Sequence, residues 1–320
     1  MRATRLVGPK RFEPVQAEVP QLLDGHVLIK LQRVSICGSD LRIYDRVLPE
    51  EQYPLVVGGP CHECAGVVIE SRDDAYRPGQ RVIVLPTASN GLVEYIAEPP
   101  SRLIPLPDHG DLSTLLMCQP VGTVMYSCQR IGSVLGKRVV ILGQGAIGLA
   151  FTQWMARQGA RQVIVTDLLD YRLEAARQLG ATHTINAAQE DVSAIVAEAT
   201  HGELADVVVE AVGRPETANL VWDLVRKQGL VALFGLPHDE EIFPFRYNAM
   251  MDKLPTILVT VGARTPNPTQ HIEECVDLVT QGRLDLSHMV THHMPFDQVQ
   301  GAYDMYSDKL DNIIKVVLTL

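Results

Sequence analysis

Val139-Val140-Ile141-Leu142-Gly143-Gln144-Gly145-Ala146-Ile147-Gly148 decides the fold of this 320-residue chain. The four apolar residues read as a buried strand, and they run straight into Gly-x-Gly-x-x-Gly and a helix-like stretch from Leu149 to Arg157. In such a unit Gly143 permits the tight turn, Gly145 lets the backbone approach a pyrophosphate, and Gly148 lets the helix pack close to the strand. The phosphates then meet the exposed N–H groups around Ala146, Ile147 and Gly148, where the helix dipole favours negative charge. A second apolar run, Val163-Ile164-Val165-Thr166-Asp167, ends in an acid. Asp167 lies about 20 residues past the loop, where a βαβ unit sets a carboxylate on the adenosine ribose. That carboxylate repels a 2′-phosphate, so NAD is expected rather than NADP. Arg172, five residues on, falls in a helical run from Tyr171 to Gly180 with charge partners of its own.

The surrounding sequence has the rhythm this unit demands. Apolar runs at Thr184–Ile185, Asp206–Glu210, Leu230–Phe234 and Thr256–Val261 follow, separated by amphipathic segments such as Asp191–Ala199 and Pro215–Arg226. Strands alternating with helices imply an α/β fold, a doubly wound parallel sheet with helices on both faces. From Met1 to about Pro107 the pattern differs. Short β-like runs at Val27–Leu31, Ala65–Glu70, Arg81–Leu85 and Leu92–Ala97 are broken by Pro and Gly, which predicts a compact, mainly β domain. Helical runs at Thr269–Gln281 and Phe296–Asp308 and a final strand, Ile313–Leu320, close the chain.

Charged residues are 21%, hydrophobic ones 46%, and the net charge is −10, which argues against a broad nucleic-acid-binding face. No apolar run approaches a membrane span, and Met1-Arg2-Ala3-Thr4-Arg5 lacks the apolar core of a signal peptide. Six cysteines do not make a disulfide scaffold, so a cytoplasmic protein with thiols free for metal is expected.

The β-rich part carries a second constellation, Cys37-Gly38-Ser39-Asp40 and Cys61-His62-Glu63-Cys64-Ala65-Gly66. Thiolate, imidazole and carboxylate are a zinc ligand set, and catalytic sites use three of them and keep a position open. These motifs, followed in order by Gly79-Gln80-Arg81-Val82-Ile83-Val84, the glycine fingerprint, Asp206–Gly213 and Ile313–Leu318, resemble the zinc-dependent medium-chain dehydrogenases over nearly the whole chain. The sorbitol (polyol) and threonine dehydrogenase branch is the most similar. The resemblance implies a GroES-like catalytic domain built from residues 1–118 and 264–320, a Rossmann domain at 119–263, and an active site in the cleft between them. It makes Cys37, His62 and Glu63 the metal ligands or the residues lining the metal. Ser39 becomes the hydroxyl that takes the substrate proton, and Val212 and Gly213 join Asp167 and Arg172 at the cofactor. The substrate would be a secondary alcohol (a polyol, sugar-derived alcohol or amino alcohol), and the subunits would form a homodimer or homotetramer. A zinc-independent quinone or enone reductase of the same fold, and a catalytically silent NAD-binding sensor, are the competing readings.

Four departures from the branch stand out. Arg42 replaces the His that commonly extends the proton relay; it cannot deprotonate near neutral pH and carries only donors. It is expected to hold the cofactor's ribose or pyrophosphate, or an anionic group of the substrate, with Tyr44 beside it as a lining residue. Gln119-Pro120 stands for the usual Glu-Pro, preceded by Cys118, so either Cys118 or Gln119 is a further candidate ligand. The lobe bearing four closely spaced cysteines is missing: only Thr87-Ala88-Ser89-Asn90 separates Pro86 from Gly91. One catalytic zinc and no structural zinc are therefore expected. Finally, Cys61 and Cys64 form a C-x-x-C, but Gly58-Gly59-Pro60 makes a loop rather than the helix start a redox pair wants.

Overall fold

The computed structural model describes residues 1–237, 242–261, 265 and 267–320. In chain order the first part carries β1 (Arg2–Gly8), β2 (Arg11–Gln16), β3 (Val27–Ser35), α1 (Gly38–Tyr44), β4 (Glu63–Ser71), β5 (Arg81–Val84), β6 (Tyr95–Glu98), β7 (Leu103–Pro105) and α2 (Leu112–Leu116). Helix α3 (Cys118–Ile131) leads to β8 (Arg138–Leu142), α4 (Ala146–Arg157), β9 (Gln162–Asp167), α5 (Asp170–Gln178), β10 (His183–Asn186) and α6 (Val192–Ala199). There follow β11 (Ala205–Glu210), α7 (Pro215–Leu224), β12 (Val225–Leu233), α8 (Tyr247–Lys253) and β13 (Thr256–Val259). The chain ends with α9 (Gln270–Thr280), β14 (His292–Pro295), α10 (Val299–Asp308) and β15 (Val316–Thr319). Among the described residues, no helix is long and apolar enough to cross a membrane.

Two compact units result, Met1–Gly122 with Pro266–Leu320, and Thr123–Thr265. The expected second boundary, between 263 and 264, lies outside the described residues. In the first unit a sheet of order β14-β15-β3-β4-β5-β7, with β6 also on β3, encloses a core that includes Ile29, Leu31, Val34, Val68, Val82 and Leu318. The last strand lies against the middle of this sheet: Val317 pairs with Ser35 and Leu318 with Val34, antiparallel. Both chain ends are needed for one core.

The second unit is a six-stranded sheet of order β10-β9-β8-β11-β12-β13, parallel throughout. Its central strands are near-continuous Val, Ile and Leu because helices cover both faces of such a sheet. The chain runs outward from β8 to β10, then crosses back to place β11 on the other side of β8. The carboxyl ends of β8 and β11 thus flank a topological switch point, the crevice where open α/β sheets bind their ligands.

Candidate active site

In the first unit, strand register brings the metal-ligating residue types together. Ser35, the last residue of β3, pairs with Glu63, the first residue of β4. Cys37, two residues beyond one strand end, and His62, one residue before the other, therefore lie at the same edge. Donor atoms of Cys37, His62 and Glu63 all lie within 4.8 Å of one another. That is near the span a single ion bridges with bonds of about 2.0–2.3 Å, and thiolate, imidazole and carboxylate match a catalytic zinc donor set.

Asp40 holds this corner. Cys37 caps α1, and its backbone N–H donates to Asp40 Oδ2 at 2.9 Å, while Asp40 Oδ1 accepts from His62 Nδ1 at 2.8 Å. A carboxylate only accepts, so Nδ1 carries a proton, and in the neutral ring Nε2 keeps its lone pair for a metal. Burial opposes an imidazolium at His62, but the charges of Asp40 and Cys37 outweigh it and raise its pKa well above the ordinary 6.5. A metal must displace that proton, which couples its binding to pH.

Glu63 is fully buried, and Lys315 Nζ donates to its Oε1 at 2.7 Å and its Oε2 at 2.6 Å, and to the Ile36 carbonyl at 2.9 Å. Lys315 precedes β15, and the Val317–Ser35 pairing carries it to the level of residue 37. Buried side-chain atoms without a hydrogen-bond partner among the described residues include Ser35 Oγ, Arg42 Nε, Asn90 Oδ1 and Gln119 Oε1. Asn90 bridges to Cys61, so it stands next to His62.

Other expected residues sit elsewhere. Cys118 is fully buried with its thiol on Cys275 of α9, and it is not among the Cys37–His62–Glu63 donors. Tyr44 is fully buried too: its ring packs against Phe12 and Tyr303 and its hydroxyl donates to Asp304 at 2.6 Å, which leaves it no face for a substrate. Cys61 and Cys64 are both inaccessible, and hydrogen bonding with Cys64 together with burial pushes the Cys61 thiol well up, which disfavours the reactive thiolate. Ten residues, 85–94, join β5 to β6, and none is a cysteine.

In the second unit the glycine loop has the form a dinucleotide requires. Gly143 turns with φ +86°, and a Cβ on Gly148 would stand 1.8 Å from the Gly143 carbonyl oxygen. A Cβ on Gly145, by contrast, would meet only Arg172 Nη1, at 3.9 Å. Close packing demands glycine at 148, whereas the space over Gly145 is open. Asp167 Oδ2 accepts from the Gln144 N–H at 2.6 Å, and its Oδ1 accepts from the N–H groups of Leu168 and Leu169. Arg172 does not keep to its own helix for charge: its Nη1 lies 3.8 Å from Asp167 Oδ2. At the end of β11, Glu210 Oε1 accepts from the N–H groups of Val212 and Gly213, shaping that turn beside the Gly143 loop.

Sequence reasoning missed the parts played by Asp40, Lys315 and Glu210. Each had a signal: an acid three residues after a cap position, a lone lysine inside the apolar run Ile313–Leu318, and an acid ending Val207-Val208-Val209.

Residues 23–108 match the alcohol dehydrogenase GroES-like domain family, and residues 146–281 match the zinc-binding dehydrogenase family. The chain is 29% identical to an uncharacterized zinc-type alcohol dehydrogenase-like protein of Haemophilus influenzae, covering 99% of this chain and 98% of that one. It is 27% identical to sorbitol dehydrogenase of Bacillus subtilis, covering 99% and 97%. The solved structure of alcohol dehydrogenase TADH from Thermus sp. ATN1 superposes with a TM-score of 0.86 at 25% identity, covering 100% of this chain and 99% of that one.

Proposed function

Since this chain belongs to the zinc-type medium-chain dehydrogenase superfamily, we propose that it oxidises a secondary alcohol (a polyol, sugar-derived alcohol or amino alcohol) with NAD as hydride acceptor. One catalytic zinc per subunit, without a structural zinc, completes the reading. The observation that carries it is the Cys37–His62–Glu63 cluster, with His62 oriented by Asp40. When bound, the zinc supplies a Lewis acid that lowers the pKa of the alcohol.

The chain's own residues do the rest. Cys37, His62 and Glu63 hold the metal. The half-buried Ser39 hydroxyl makes no hydrogen bond among the described residues, so it is free to take the alcohol proton and pass it to water. The Gly145–Gly148 N–H groups bind the pyrophosphate, Asp167 accepts from the adenosine ribose, and Val212 and Gly213 border the cofactor. Strand β13 is a sheet edge with Ile257 40% and Val259 63% exposed, which supports a homo-oligomer paired along that edge.

The test combines zinc stoichiometry with absorbance at the NADH band over a panel of polyols and amino alcohols. One zinc with turnover supports the reading. Enone reduction without zinc, or bound NAD without turnover on any alcohol, overturns it.

A further inference from the structure

Helix α10 presents Gln300, Tyr303, Asp304 and Ser307 at i, i+3, i+4 and i+7, the spacing of one helix face. That face meets α1, the helix capped by Cys37. Gln300 Nε2 donates to the Tyr44 hydroxyl at 2.6 Å, and the Tyr44 hydroxyl donates to Asp304 Oδ1 at 2.6 Å. The Ser307 hydroxyl donates to Asp45 Oδ1, also at 2.6 Å. Tyr303 is fully buried, with its ring 5.0 Å from that of Tyr44 and 4.8 Å from that of Phe12.

The hydroxyl of Tyr303 turns away from α1. It donates to the carbonyl of Pro60, on the loop that runs into His62. Pro60 carries no N–H, so its carbonyl is the one main-chain group by which residue 60 can be held through a hydrogen bond. Residues on either side are tied to other segments: the Gly58 N–H donates to the Thr4 carbonyl at 2.8 Å, and the Cys61 N–H to the Ser89 carbonyl at 2.8 Å. Burial, and then the charge of Asp40, push the Tyr303 phenol well above the ordinary 10.0, so it keeps its proton and remains a donor. One side chain thus touches both segments that bear metal-ligating residue types. Its ring lies on the helix of Cys37, and its hydroxyl on the loop of His62.

We propose that Tyr303 is a positioning residue of the metal centre, holding the Pro60 carbonyl so that His62 keeps its place beside Cys37. Asp40 orients the imidazole, and Tyr303 fixes the main chain that carries it. The inference rests on the zinc part of the reading above, and on neither NAD nor the alcohol.

The experiment compares wild type with Tyr303→Phe and Tyr44→Phe. Each variant keeps its ring and loses one buried hydroxyl of the same aromatic group, but the Tyr44 hydroxyl serves Asp304 rather than the loop of His62. Zinc affinity is measured by chelator competition, and the visible spectrum of the cobalt-loaded protein reports ligand geometry. Urea titration of the metal-free protein reports stability. Tyr303→Phe is expected to weaken zinc about tenfold, the low end of what loss of a supporting partner costs a metal site, and to shift the cobalt bands. Tyr44→Phe is expected to lower the urea midpoint while zinc affinity stays within about twofold and the cobalt spectrum is unchanged. A lower midpoint for Tyr303→Phe with wild-type zinc affinity and cobalt bands overturns the proposal and leaves the hydroxyl a purely structural one. Equal weakening of zinc by both variants overturns it too, because the loss then belongs to the aromatic group as a whole. Wild type that takes up neither zinc nor cobalt removes the metal reading itself, and the proposal with it.

Discussion

Lys315 donates to both carboxylate oxygens of Glu63, at 2.7 and 2.6 Å, in a place where neither side chain reaches solvent. The carboxylate of the candidate metal cluster is thus already paired with a buried ammonium. Breaking such a pair strands the remaining charge, at a cost of about 3–5 kcal/mol. Lys315→Met should lower the metal-free unfolding free energy by about that amount in urea titrations. Because Glu63 then lacks its counter-charge, added zinc should stabilise Lys315→Met more than wild type. Equal stabilisation of both proteins would show that Glu63 stands apart from the metal.

Asp40 joins the cap of α1 to the imidazole of His62. Partners of this kind set the tautomer and basicity of a metal-binding histidine, and their loss typically lowers affinity about 10–100-fold. Asp40→Asn is expected to weaken zinc by that factor in chelator competition. Unchanged affinity would remove His62 from the ligand set.

Gly145 and Gly148 make opposite predictions. At Gly148 an added Cβ collides with main chain at 1.8 Å, so Gly148→Ala should destabilise the fold by about 1–3 kcal/mol or more. At Gly145 the nearest atom is Arg172 Nη1 at 3.9 Å, so Gly145→Ala should leave the unfolding midpoint nearly unchanged. The same variant should weaken NADH about tenfold or more, because the methyl group occupies the space where the pyrophosphate approaches. Fluorescence titration with NADH, alongside urea unfolding, separates the two.

Asp167 and Arg172 lie 3.8 Å apart, and the proposed NAD reading makes them a selectivity pair. Removing the carboxylate takes away the acceptor for the ribose and frees the guanidinium for a 2′-phosphate. Asp167→Ala should therefore shift the ratio of kcat/KM for NAD over NADP downward by about tenfold or more. Loosening of the loop alone would harm both cofactors alike and leave that ratio in place.

Asp206 contributes a pH dependence within the second unit. Burial opposes its charge, but bonds from the Arg138 N–H at 2.8 Å and Arg226 Nε at 2.7 Å outweigh this and lower its pKa below the ordinary 3.8. A depressed carboxylate stabilises the fold fully above its unfolded value and loses that contribution as pH falls through its folded value. Asp206→Asn should thus lower the thermal midpoint at pH 7, and the difference from wild type should shrink only below the ordinary 3.8. A difference already lost by pH 5 would assign the effect to another group.

Much of this protein was legible in order and spacing. The strand–glycine–helix run at 139–157 and the acid at 167 state local requirements: a turn needs φ above zero, and a helix packed on a strand admits no Cβ at 148. Alternating strands and helices fix a parallel sheet because a crossover between parallel strands needs a helix. Cys37, His62 and Glu63 were named for their chemistry, and they lie together because Ser35 and Glu63 pair at the same end of adjacent antiparallel strands. The pairing of Glu63 with a lysine 252 positions away was not legible, since it depends on where the last strand joins the sheet. Nor was the fate of Cys118 and Tyr44, because burial against Cys275 and Asp304 is a matter of packing between distant elements. The amino-acid sequence by itself determined the sheet type, the glycine loop and the donor residue types, all set by interactions within a few residues or one βαβ unit. Tertiary structure alone decided which charges are matched and which are left open, Lys315 on Glu63 but nothing described on Arg42, because charge matching in an interior is settled by long-range contacts.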